Sequence, residues 1–155
     1  MKTHYYLLLV VLFCISIPNT VEGQNKKGKS STDLLLGTWT FDYDSSLKNI
    51  DKSNKSQFDS LPKQQRSEMK SIYLNRQIVF EADGNFTLLL ADKRKSTGTW
   101  KLSENDKYIL FTSPNGKVFI QKIEKLSATD LIVKLKEVGD IKAFISKLHY
   151  TKNQK

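Results

Sequence analysis

The chain has 155 residues, 39% of them hydrophobic and 26% charged, with a formal net charge of +9. This length suits one domain with a single core, and the composition excludes a chain too polar to fold. Of the 25 cations only Arg66, Arg76 and Arg94 are guanidinium groups, and no aromatic-plus-arginine signature is present. Both features argue against nucleic-acid recognition. The lysine excess serves solubility or weak association with an anionic envelope surface.

At the N-terminus, Lys2 and His4 precede an apolar run from Tyr5 to Ile17 that breaks at Pro18. The run has the size of a signal-peptide core and is too short to span a bilayer comfortably. Val21-Glu22-Gly23 offers short side chains for cleavage after Gly23, so residues 1–23 read as a signal peptide and the mature protein is expected to be secreted or periplasmic. A lipoprotein anchored at Cys14 is the alternative, with bulky Phe13 where a small residue is wanted. Cleavage at Gly23 removes the sole cysteine, and with it disulfide, thiol and thiolate-metal chemistry. Residues 24–33 are polar, basic and Gly/Ser-containing, and read as a flexible linker ahead of a domain at 34–151.

From Leu35 to Asp44 the sequence alternates, with Leu35, Gly37, Trp39, Phe41 and Tyr43 on one face, the period of a half-buried strand. Ser45 to Ser71 is too long for a hairpin loop. Its first half is polar and reads as irregular. The second reads as a helix, capped by Ser60, with Pro62 in the first turn and Leu61, Met69, Ile72 and Tyr73 on one side. From Asn75 onward strands follow at regular spacing. Arg76–Ala82 leads through Asp83-Gly84 into 85–91, and 97–103 and Tyr108–Thr112 follow. Ser113-Pro114-Asn115-Gly116 then turns the chain into 117–126, 130–137 and a last strand at 141–150. Eight short strands with turn signals every eight to twelve residues predict an all-β, antiparallel up-and-down barrel with a helical insertion between the first two strands.

The Gly37-Thr38-Trp39 start, the inserted helix, the Ala82-Asp83-Gly84-Asn85-Phe86 hairpin and the second Gly98-Thr99-Trp100 come in an order that resembles the lipocalin-like domains of secreted bacterial proteins, within the calycin group. The resemblance covers Leu34 to Tyr150. It implies an eight-stranded lipocalin-like barrel. Lipocalins proper also place a basic residue, usually Arg, late in the barrel against the first Trp; this sequence departs from that, its last strand offering only Lys142 and Lys147.

Glycine permits close approach of chain or ring, and tryptophan fills volume while needing a partner for its indole N–H. Gly37, Trp39 and Gly98 are therefore expected at the barrel floor. Tyr43, Phe80, Phe86, Leu88 and Trp100 are expected to hold a small apolar or amphipathic ligand under the Ser45–Tyr73 insertion. The competing expectation is a barrel filled by its own side chains, serving as an envelope interaction or structural module.

No enzyme is expected. His149 is the only histidine after cleavage, which leaves no multi-histidine metal set and no evident Ser-His-Asp arrangement. Asp42 and Asp44, two residues apart on a strand, would sit about 7 Å apart on the solvent face. As a calcium loop the same segment lacks both the turn glycine and the closing glutamate. No metal or cofactor is expected.

Overall fold

The computed structural model describes residues 28–135 and 144–154; the signal segment, Cys14 and Lys142 lie outside the described residues. In chain order the elements are α1 (Ser31–Leu35), β1 (Gly37–Phe41), α2 (Tyr43–Lys48), α3 (Lys52–Ser60), α4 (Lys63–Tyr73), β2 (Gln77–Phe80), β3 (Asn85–Leu89), β4 (Lys95–Leu102), β5 (Tyr108–Thr112), β6 (Val118–Leu126), β7 (Asp130–Leu135) and β8 (Lys147–Lys152). The eight strands form a closed antiparallel barrel in sequence order, as the turn spacing predicts. Closure comes from β1, which pairs with β2 through Trp39↔Ile78 and with β8 through Phe41↔Tyr150. Neither edge of the sheet is left open.

Alternation sends Trp39, Phe41, Ile78, Phe80, Phe86, Trp100, Ile109, Phe111, Val133 and Tyr150 into one buried core. The hairpin turns are built by their own polar residues. Asp83 accepts from the Asn85 amide at 2.9 Å and Asp92 from the Arg94 amide at 3.1 Å, while Gly84 and Gly116 adopt φ of +84° and +80°, a region that favours glycine.

Four expectations are corrected. First, β1 ends at Phe41. Asp42 is the N-cap of α2, accepting from the Ser45 amide at 2.9 Å, so Asp42 and Asp44 share a helix start and are not a carboxylate pair on a strand. Second, the supposedly irregular half of the insertion is helical. Asp51 caps α3 through the Asn54 amide at 2.8 Å, Ser60 closes α3, and α4 starts behind Pro62. Local capping by Asp42 and Asp51 outweighs the polar composition. Third, the linker stops early, because Ser30 and Asp33 form a reciprocal capping box that starts α1. Fourth, the last strand runs from Lys147 to Lys152.

That shift supplies the basic residue. Lys152 faces the first tryptophan, with Nζ 4.9 Å from the Trp39 ring centroid, while Lys147 pairs with Glu124. The same ammonium donates to the Leu34 carbonyl at 2.5 Å, and the fully buried Trp39 donates its indole N–H to the Leu35 carbonyl at 2.7 Å. Gly37, at φ +112°, leaves room for the lysine stem, since a Cβ there would stand 3.3 Å from Lys152 Cε. Burial lowers the Lys152 pKa, and Lys29 adds to the effect. The floor is thus a lysine, a tryptophan and the last turn of α1 holding one another.

Gly98 has a different reason. A Cβ there would run into the Thr112 carbonyl oxygen and lie 2.8 Å from Phe86 Cε1. Gly98→Ala is expected to cost about 1–3 kcal/mol by forcing backbone apart, read as a lower urea midpoint with an unchanged slope.

Candidate functional site

The barrel interior divides into two zones. Toward the floor the rings interlock: Phe80 meets Trp100 edge-on at 5.0 Å, Phe86 meets Phe111 edge-on at 5.0 Å, and Phe80 and Phe111 are 5.9 Å apart. Trp100 also donates its indole N–H to the Glu81 carbonyl at 3.2 Å. Three of the five residues expected to hold a ligand, Phe80, Phe86 and Trp100, therefore form one cluster with Phe111 and fill the space themselves. Leu88 lies half-buried on the same inner face, opposite Ile78.

The other zone lies at the end where β1 leaves the barrel, beneath the inserted helices. Tyr43, the fifth of those residues, stands here on α2, outside that ring cluster. Its ring is 6.1 Å from Tyr73 of α4, and Phe41 is 5.5 Å from both Tyr73 and Tyr150. Arg76 precedes β2 and continues its register, accepting from the Phe41 amide at 2.9 Å through its carbonyl. It therefore shares the inward parity of Ile78 and Phe80. Its guanidinium carbon lies 5.6 Å from the Tyr73 ring centroid. Arg76, Phe41 and Tyr150 thus stand side by side on the inner wall, with Tyr43 and Tyr73 over them.

Two polar atoms of this cluster are buried without a hydrogen-bond partner, Tyr43 Oη and Arg76 Nε. Among the described residues Arg76 joins no ion pair. Burial pushes the Tyr150 hydroxyl up to about 12, with the Arg76 guanidinium pulling the other way and Tyr73 adding to the rise. Burial likewise raises Tyr43, helped by Asp44 and Tyr73. Both phenols stay protonated at neutral pH and can donate. α4 meets this cluster through Tyr73 without a buried residue of its own, and its Ile72 is 64% exposed.

Arg76, Tyr73 and Tyr150 are absent from the expected site. A signal for Arg76 exists, since it shares the spacing of two inward residues; its charge hides it. Tyr73 and Tyr150 read as ordinary helix and strand positions.

The fold also gathers Asp42, Ser46 and His149, a combination not evident in the sequence. The geometry is structural. The fully buried Ser46 hydroxyl donates to the Asp42 carbonyl at 2.7 Å and accepts the His149 backbone amide at 2.9 Å, so it is held by main chain and not activated by the imidazole. His149 Nε2 is buried without a partner. Burial lowers its pKa against the opposing charge of Asp42; Lys147 and Lys125 lower it further and Glu124 opposes.

Two open depressions lie on the outside of the barrel. One, of about 410 Å³, sits beside Gly98 and Thr112. The other, of about 670 Å³, crosses β5 to β7 over Tyr108, Leu110 and Ile120, with Lys122 and Lys134 at its rim.

The strand order and capped floor define an all-β, lipocalin-like barrel. No protein-family model matches the chain, and no curated protein matches it. Among solved structures, a DUF4847-family protein from Bacteroides vulgatus ATCC 8482 superposes with a TM-score of 0.49 at 13% identity, over 77% of this chain and 93% of that one. As-p18, described as an extracellular fatty acid binding protein, gives a TM-score of 0.41 at 14% identity, over 81% of this chain and all of its own.

The depressed His149 pKa sets a pH dependence. Folding favours the neutral imidazole, so this contribution is complete above the ordinary value of 6.5 and is lost as pH falls from there through the folded pKa. Asp42, held below its ordinary 3.8 because the Ser45 hydrogen bonds outweigh burial, stays ionised across that window. Thermal melts from about pH 7.5 to 5 should show a loss of stability that His149→Gln flattens.

Proposed function

We propose that this chain is an exported binding protein that takes a small apolar or amphipathic ligand at the lid end of the barrel, between the inner wall and helices α2 to α4, and acts by binding and not by catalysis. One observation carries the reading: within the ring cluster of Phe41, Tyr43, Tyr73 and Tyr150, Tyr43 Oη and Arg76 Nε are buried without partners. Cores that serve only stability pair nearly all their buried polar atoms. Orphaned polar atoms in an aromatic wall match a ligand site, where apolar surface desolvates the body of the guest and a few polar groups orient it.

The ligand site thus lies at the mouth of the barrel and not at its centre. The interlocked Phe80, Trp100 and Phe111 rings serve as the packed base of that site. Export is part of the proposal and rests on the signal-like residues 1–23.

Native mass spectrometry of the protein from its own source, before and after organic extraction, tests both parts. The expected result is a chain beginning at Gln24 that carries a removable small-molecule mass, and an extracted protein that binds a neutral apolar fluorophore at one equivalent. Phe41→Ala should weaken that probe by at least tenfold. A bare mass together with no probe binding would overturn the reading.

The outer face favours a second reading, a surface interaction module. Val118 is 51% exposed beside the depression over Tyr108, Leu110 and Ile120, with lysines at its rim. Apolar floor with cationic rim suits an anionic envelope surface. Cosedimentation with phosphatidylglycerol vesicles that fails with phosphatidylcholine and is lost in Lys122→Glu would support it; equal behaviour toward both lipids would remove it.

A further inference from the structure

We infer that the proposed site is selective for an amphiphile with an oxyanion head group, and that Arg76 is the residue that reads the head. This rests on the proposed function and adds the chemistry of the ligand.

A guanidinium cannot lose its proton within a protein, so burial leaves it either paired or costly. Arg76 has inward parity, its Nε is buried without a partner, and its guanidinium carbon sits 5.6 Å from the Tyr73 ring centroid. The face of an aromatic ring offers attraction but accepts no forked hydrogen bond. No carboxylate among the described residues answers it. Asp44, on the first turn of α2, lies 3.6 Å from Lys70 Nζ and is mostly exposed. Asp42 is committed to capping α2.

Two other half-buried cations, both on β8, have partners. Lys152 has the Leu34 carbonyl and the Trp39 ring, and Lys147 has Glu124 at 2.6 Å. Arg76 has neither an anion nor a carbonyl, and Tyr43, whose ring neighbours the same Tyr73, holds a second unused donor. A guanidinium fork with a tyrosine hydroxyl is a donor set for two oxygens of one anion, a carboxylate or a phosphate monoester. Phe41, Tyr73 and Tyr150 then cover the first carbons of the chain, and half-buried Leu88 continues the apolar wall toward the base.

The test is displacement of a neutral apolar fluorophore from the extracted full-length mature protein by laurate, dodecyl phosphate and 1-dodecanol, with the wild type, Arg76→Gln and Arg76→Lys. One or both anions should bind roughly 10- to 100-fold more tightly than dodecanol, the range of a charge-assisted hydrogen-bonded contact. Which anion leads identifies the head. Arg76→Gln should abolish that preference by weakening the anions more than dodecanol, and Arg76→Lys should keep part of it. Without ligand, Arg76→Gln should melt at or above the wild-type temperature, because the buried, unpartnered Nε is gone. Equal affinity for all three compounds in all three proteins would overturn the role of Arg76 and leave binding intact. No displacement by any of them, after the fluorophore has bound, would overturn the head-group inference alone; failure of the fluorophore to bind would overturn both.

Discussion

The structure depends on β1 being hydrogen-bonded along both edges. Five residues, Gly37 to Phe41, meet β2 on one side and β8 on the other, and that double pairing turns a meander into a barrel. It also shapes the start of the insertion. The strand cannot continue, because Asp42 caps a helix in its place, yet β8 extends beyond the point where its neighbour leaves. The exposed edge is covered by α2: the His149 amide, which would otherwise lose its partner, donates to the Ser46 hydroxyl at 2.9 Å. Buried main-chain donors must be satisfied, so the first inserted helix is held to the barrel by the gap that it creates.

Much of this architecture is legible in the residues. Alternation marks the inward positions of most strands, and Asp-Gly and Asn-Gly pairs mark hairpins whose side chains build the turns. The insertion is harder because helices α2 and α3 show weak apolar periodicity, and the caps Asp42 and Asp51 look like any acidic residue in a polar stretch. The candidate site is legible only in part. Aromatic residues on one face read as a ligand wall, but the same alternation describes rings that touch each other, and sequence does not say which distances close. Arg76 escapes notice because charge is normally outward, and Lys152 because the strand that carries it reads as ending two residues early.

The two Gly-x-Trp triplets illustrate how one pattern serves two geometries. Gly37 opens a lane for an aliphatic stem that brings an ammonium onto Trp39. Gly98 lets two strands and the Phe86 ring draw together beside Trp100. Each tryptophan commits its indole N–H to a nearby carbonyl, Leu35 in one case and Glu81 in the other. The base of the barrel is therefore closed by groups that are satisfied, while the mouth retains groups that are not. This asymmetry lies along the barrel axis.

The floor also fixes a direction. Lys152 reaches Leu34, and the Asn153 amide donates to the Thr38 carbonyl at 2.9 Å, so the segments leading into β1 and out of β8 emerge side by side at the base. Helices α2 to α4, inserted between β1 and β2, stand at the opposite pole. Any tether, tag or fusion attached through either segment would thus hold the barrel with its back to the point of attachment and its mouth facing away, and two such attachments on one molecule would compete for the same side.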